Sequence, residues 1–305
     1  MFGLRSDGVK VKCADPIDKI VPHIMKERSD SMNNTVIEQR VESFDAWIDD
    51  VYRRTGVEFN YMHIVLASIV RLYALRPRLN RFVMNGRVFQ RHGIYASFTV
   101  KQALKEDAPD LTIKIRFTGQ ESIFEVKEKM DEAIRSAIAA NRENGSTKVA
   151  GILTAVPNFL IKFLVWSVKC MDRHGIIPGS ILKVSPFHTS FYLTNLKSVK
   201  GEWIFHHLYN FGTVGLFVSM GKEKLEPVVE NGALSVGKVM KMGITADERY
   251  CDGFYFIQTL RAWRKYMGDP SLLEERLDIE PFESPKERKK RLKEEQKEQK
   301  KRQQA

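Results

Sequence analysis

The chain has 305 residues, 43% hydrophobic and 10% aromatic, which is enough for one large domain or two small ones of an ordinary soluble globular kind. Its formal net charge is +11, but residues 286–305 hold ten Lys/Arg against four Glu, so the body before them is only mildly basic. No aromatic residue interleaves those tail cations, which argues against a specific nucleic-acid partner and leaves a solvated helix or a disordered end. In chain order, residues 1–20 read as an extension, with a turn at Asp7-Gly8 and a short helix opened by Asp15-Pro16. Residues 21–28 predict a second short helical segment. Residues 34–41 (NTVIEQRV) alternate as a strand does, and residues 44–55 predict a helix with Ser43 as its N-cap. Residues 59–75 are apolar on nearly every side, the pattern of a buried helix. Arg76-Pro77 ends it, because proline disfavours the helical region at the residue before it.

Asn85-Gly86, between short strands at 81–84 and 87–90, is a hairpin signal. Strands follow at 94–100 and 111–117, then an amphipathic helix at 123–141 and a loop at Asn144-Gly145-Ser146. Residues 156–173 predict a long apolar helix, broken at 175–180. Further strands are predicted at 189–195, 213–220 and 238–246, and a last core helix at 254–267. Everything after Pro281 is low-complexity and falls outside the core, helical or disordered. Strands and helices without strict βαβ alternation predict an α+β or mixed α/β fold, not a doubly wound sheet.

The three cysteines, Cys13, Cys170 and Cys251, are odd in number and far apart. No CxxC or Cys/His spacing suggests zinc, so no metal is expected and a reduced, cytoplasmic setting is. The first 16 residues lack the apolar core of a signal peptide, and no run of about 18 uncharged apolar residues predicts a membrane span.

The most informative stretch is Asp247-Glu248-Arg249-Tyr250-Cys251-Asp252-Gly253-Phe254. It resembles the HxxxDG signature of the chloramphenicol acetyltransferase-like superfamily, which includes the acyltransferase cores of the 2-oxo acid dehydrogenase complexes. Other pieces stand in the family's order. Pro22 to Ser29 looks like its opening helix. His63 to Leu75, then Arg76-Pro77-Arg78-Leu79-Asn80 and Asn85-Gly86-Arg87-Val88, looks like its helix, hairpin and strand. Phe191-Tyr192-Leu193-Thr194-Asn195-Leu196 and Phe217-Val218-Ser219-Met220-Gly221-Lys222 look like two of its strands.

The resemblance implies a mixed β-sheet flanked by helices, a homotrimer with its site between subunits, and an acyl thioester of coenzyme A as substrate. With the extension and the tail already read from the residues, the chain divides into an extension (1–20), an acyltransferase-like domain by resemblance (21–280) and a charged tail (281–305). In that family the signature histidine takes the proton of the thiol of coenzyme A or dihydrolipoamide. A hydroxyl side chain stabilises the oxyanion, and the motif's Asp orders the turn through an arginine. Asp252 matches that Asp. Thr194 is the candidate oxyanion hydroxyl, with Ser185 and Ser190 as alternatives. Glu248 stands where the histidine would be.

That exchange matters chemically. A neutral imidazole, with an ordinary pKa of about 6.5, accepts a thiol proton at neutral pH, whereas a carboxylate near about 4.3 is a weaker base. Burial raises a glutamate to about 6–7 in known acid–base enzymes. The alternative is that Glu248 simply pairs with Arg249 or another cation. His206 and His207, with Tyr209 and Asn210 nearby, are either a substitute base or a loop packed at a subunit contact. In the helix 156–173, Asn158, Lys162, Lys169 and Arg173 form one narrow polar stripe. It reads as a core or interface helix. The sharper reading is an interfacial helix that, with the basic tail, contacts a membrane or shapes a tunnel for an acyl chain. Two functions follow from the resemblance. One is acyl transfer from a coenzyme A thioester to an unidentified acceptor. The other is an inactive relative acting as a binding or assembly subunit, at a membrane surface.

Overall fold

The computed structural model describes residues 5–12, 15–101, 110–144 and 156–304. Cys13 and residues 145–146 of the expected loop lie outside them. A small sheet holds β1 (Gly8–Lys10), β3 (Arg81–Met84) and β4 (Arg87–Arg91) in the order β1-β4-β3. Asn85 and Gly86 both take positive φ, 50° and 67°, the type I′ geometry that closes a two-residue hairpin. β1 comes from the segment expected as an extension and pairs antiparallel with β4.

The large sheet holds β2 (Met32–Arg40), β5 (Ile94–Lys101), β6 (Asp110–Phe117), β7 (Phe191–Asn195), β8 (Leu216–Met220) and β10 (Ala233–Asp247). Its order is β2-β10-β8-β7-β5-β6, with β9 (Lys224–Glu230) paired to the first half of β10. β7 runs parallel to β5 and to β8, and the remaining pairs are antiparallel. The sheet is mixed, as expected. β9 is a strand that the sequence reading passed over, and it lengthens β10 beyond the expected 238–246. Asn231 and Gly232, with φ of 51° and 82°, make the same turn as Asn85-Gly86. The ribbon leaves Leu225, Val229, Leu234 and Val236 exposed.

Helices α1 (Ile17–Ile24), α2 (Glu42–Thr55), α3 (Tyr61–Leu75) and α4 (Ile123–Asn144) follow the chain's first half. α1 replaces the two short pieces expected there. α2 starts at Glu42, before the expected cap Ser43. Val41 occupies the cap position without a side-chain bond, and Glu42 anchors the start by accepting from the backbone N–H of Lys238 at 2.6 Å. α3 is buried from Tyr61 to Ala74, as its uniform apolarity requires. Asn60 caps it reciprocally: its side chain accepts from the His63 N–H at 3.2 Å, and His63 Nδ1 accepts from the Asn60 N–H at 3.1 Å. α3 packs against β5, α4 and α7 (Gly253–Gly268), so the core lies between the large sheet and these helices.

The helix expected at 156–173 is α5 (Asn158–His174), and it is not a core helix of the subunit. Phe159, Phe163, Leu164, Val165 and Trp166 are all exposed. Among the described residues it docks by its C-terminal part, through buried Asp172. α6 (Gly179–Val184) follows, and the charged tail forms α8 (Pro285–Gln304).

Candidate active site

β10 ends at Asp247, which is 1% exposed. Its carboxylate accepts from Arg249 Nε at 2.8 Å and Nη2 at 2.6 Å, from the Arg249 N–H at 3.1 Å and from Ser31 Oγ at 3.2 Å. This forked pair fixes the turn. It also corrects the expectation for Glu248: Arg249 is taken by Asp247. The Glu248 N–H donates to the Ser31 carbonyl at 3.0 Å, while its side chain is exposed. Among the described residues no hydrogen bond or ion pair involves the Glu248 carboxylate. Within one subunit it is neither paired with a cation nor buried.

Cys251 is buried, and that burial pushes its thiol up to about 12, so it stays protonated and inert at neutral pH. Asp252 caps α7 by accepting from the Tyr255 N–H at 2.8 Å. It also pairs with Arg78 Nη2 at 3.1 Å. The guanidinium of Arg78 lies 4.9 Å from the Tyr255 ring centre, and that of Arg76 lies 4.0 Å from it. An Asp–Arg link, which the resemblance implied for this turn, is thus made by a residue that the linear sequence did not single out.

The three hydroxyl candidates separate clearly. Ser190 is buried and saturated: its Oγ donates to Asn80 Oδ1 at 2.6 Å and accepts from the Tyr95 N–H at 2.9 Å. Ser185 bonds to His188 Nδ1 at 2.7 Å, and His188 Nε2 bonds to Asp172 at 3.1 Å. Asp172 is also held by Arg5 at 2.8 Å, and Arg5 in turn by Asp7 at 2.8 Å. This buried cluster, with members 167 residues apart, ties α5 to the body. Thr194 alone has no side-chain partner among the described residues, and it is half-buried on β7.

Register places Thr194 beside Ser219 of β8, and Ser219 beside Gly243 of β10. Glu248 lies five residues further along, roughly 16 Å at about 3.3 Å per residue. One subunit does not bring the two together. His206 lies nearer Thr194. Its ring stacks on Phe217 with centres 4.0 Å apart, and Phe217 pairs with Tyr192, two residues before Thr194. His207 is exposed and stacks on His206 at 4.8 Å. No group of three His, Cys, Asp or Glu stands close enough to hold a metal among the described residues. No described helix is long and apolar enough to cross a membrane.

Residues 189–274, from β7 through α7, match the family model for the 2-oxoacid dehydrogenases acyltransferase (catalytic domain). Solved acyltransferase cores superpose over nearly the whole chain. The cubic core of a pyruvate dehydrogenase multienzyme complex matches with a TM-score of 0.53 and 12% identity, over 87% of this chain and 94% of that one. A probable dihydrolipoamide acetyltransferase from Listeria monocytogenes matches with a TM-score of 0.53 and 13% identity, over 85% of this chain and 94% of that one. The fold is that of these solved cores. A catalytic core of the 2-oxoacid dehydrogenase complex from Thermoplasma acidophilum agrees, with a TM-score of 0.50 and 13% identity over 86% and 99% of the two chains. At such identities the likeness concerns the fold. No curated protein sequence matches the chain. α5 and its buried anchor lie outside the residues matched by the acyltransferase family model.

Proposed function

We propose that the chain is a trimeric acyltransferase relative that binds an acyl thioester of coenzyme A between subunits, with an intact frame and a disabled base. The observation that carries this reading is the contrast inside one turn. Asp252 and Asp247 are engaged by arginines, while Glu248 stands exposed and unpaired at the base position. The distance along the sheet between Thr194 and Glu248 supports a site completed by a second subunit. The exposed apolar ribbon of β9 and β10 gives such an assembly a surface to bury.

In this reading Thr194 donates its hydroxyl to the developing oxyanion and Asp252 orders the turn through Arg78. The thiol proton lacks an efficient acceptor, so ordinary acetyl transfer is slow or absent. A second reading rests on His206, which shares the outer sheet face with Thr194 and would take the proton from that side. Sedimentation of the full chain, together with calorimetric titration of acetyl-coenzyme A, tests the proposal. A trimer that binds the thioester is expected. A monomer with no binding would leave only the fold. His206→Ala discriminates the second reading, since it should abolish whatever turnover the wild type has.

A further inference from the structure

Between α1, the β3–β4 turn and the C-terminal half of α5 lies a cavity of about 600 Å³, room enough for a small organic ligand. Its polar wall is cationic: Lys26, Arg28, Lys169 and Arg173 line it. Arg28 is 5% exposed. Its guanidinium donates to two carbonyls, of Tyr209 and Val83, each at 3.3 Å. Burial pushes it down to about 10, and the neighbouring Arg249 acts in the same direction. The two carboxylates that face it are committed elsewhere, Asp247 to Arg249 and Asp172 to Arg5 and His188. Glu27 is the one other acidic residue in the wall. The cavity therefore carries a surplus of positive charge around a buried cation without a carboxylate of its own, which is the chemistry of an anion site.

The apolar wall leads outward. Trp166 lines the cavity and stacks on Phe163, with ring centres 5.9 Å apart. Phe159, Phe163, Trp166 and Cys170 fall on one stripe of α5 by helical spacing. Lys162, Lys169 and Arg173 flank that stripe, and the helix's single acid, Asp172, is buried. We propose that the cavity binds the phosphate headgroup of an anionic lipid, whose acyl chains run past Trp166 along the exposed stripe of α5. An anionic lipid answers both the charge and the apolar surface of this face.

The test uses the full chain and three probes: inorganic phosphate, soluble short-chain phosphatidate, and vesicles of phosphatidylcholine with or without phosphatidate. Short-chain phosphatidate is expected to bind by calorimetry and vesicles to bind only when they contain phosphatidate. Both should weaken at least about tenfold in Lys169→Glu/Arg173→Glu, two exposed positions whose change leaves the core alone. Phe159→Gln/Phe163→Gln, two exposed aromatics of the stripe that do not line the cavity, should weaken lipid binding and leave any binding of inorganic phosphate unchanged. Equal binding of inorganic phosphate and phosphatidate, with vesicles ignored, would overturn the lipid assignment. Vesicle binding that survives both variants but vanishes when residues 285–304 are deleted would assign it to the tail and overturn the proposal. So would a failure of all three probes.

Discussion

The signature turn and helix α5 treat their side chains in opposite ways. From Asp247 to Gly253 the polar groups are answered inside the subunit: Asp247 by Arg249 and Ser31, Asp252 by Arg78 and the start of α7, with Glu248 the exception. Among the described residues α5 is answered at one end alone, where Asp172 meets Arg5 and His188, and its first half offers exposed aromatic and aliphatic side chains. In the proposed reading the turn is a finished frame that lacks one chemical group. Among the described residues the first half of the helix is an uncovered apolar surface, the kind that marks contact sites.

The largest effect should come from the turn. Asp247→Ala leaves Arg249 buried without its partner and should cost about 3–5 kcal/mol in urea unfolding. A loss under about 1 kcal/mol would mean that the forked pair does not organise the turn.

Next comes the anchor of α5. Asp172→Asn should cost about 3 kcal/mol, somewhat eased because Arg5 keeps Asp7. Burial alone would raise the Asp172 carboxyl, but hydrogen bonds and charge from His188 and Arg5 outweigh it and hold the group below the usual range. The folded state thus binds this proton less readily than the unfolded state. The stabilisation is full above the unfolded value of about 3.9 and fades as pH falls through the lower folded value. Melting followed down the pH scale should show a flatter acid limb in Asp172→Asn, and identical limbs would refute the assignment.

Asp252→Ala should cost about 1 kcal/mol, the ordinary value of a lost cap, because its pair with Arg78 is half exposed and adds little. The smallest effect belongs to Glu248→Gln, within about 0.5 kcal/mol, as for an exposed side chain with no partner. A marked change in melting there would reveal a contact for Glu248 in the assembled protein.

Much of this frame was legible in the sequence because it is local. Asn85-Gly86 announced its hairpin, the apolarity of residues 59–75 on nearly every side announced a buried helix, and the Asp-Gly of the signature placed the turn. Asn231-Gly232 carries the same hairpin signal, but the strands beside it expose apolar residues without a clean alternation, and β9 went unread. The cluster of Arg5, Asp7, Asp172, His188 and Ser185 was illegible for a different reason. Its members are brought together by the pairing of β1 with β4 and the docking of α5, which no window of sequence contains. The exposure of α5 was hidden for the converse reason: an apolar helix looks the same in sequence whether its cover is the subunit's own core or something else. The expectation that Glu248 would pair with Arg249 failed because the adjacent Asp247, buried at the end of β10, presents the better geometry.

The central claim is that the turn is an intact acyltransferase frame without its base, and coenzyme A thioester consumption by wild type, Glu248→His and Glu248→Gln tests it most directly. The account predicts little or no turnover by the wild type, no change in Glu248→Gln, and activity created or raised in Glu248→His. Robust wild-type turnover abolished by Glu248→Gln alone would contradict it and make Glu248 the base.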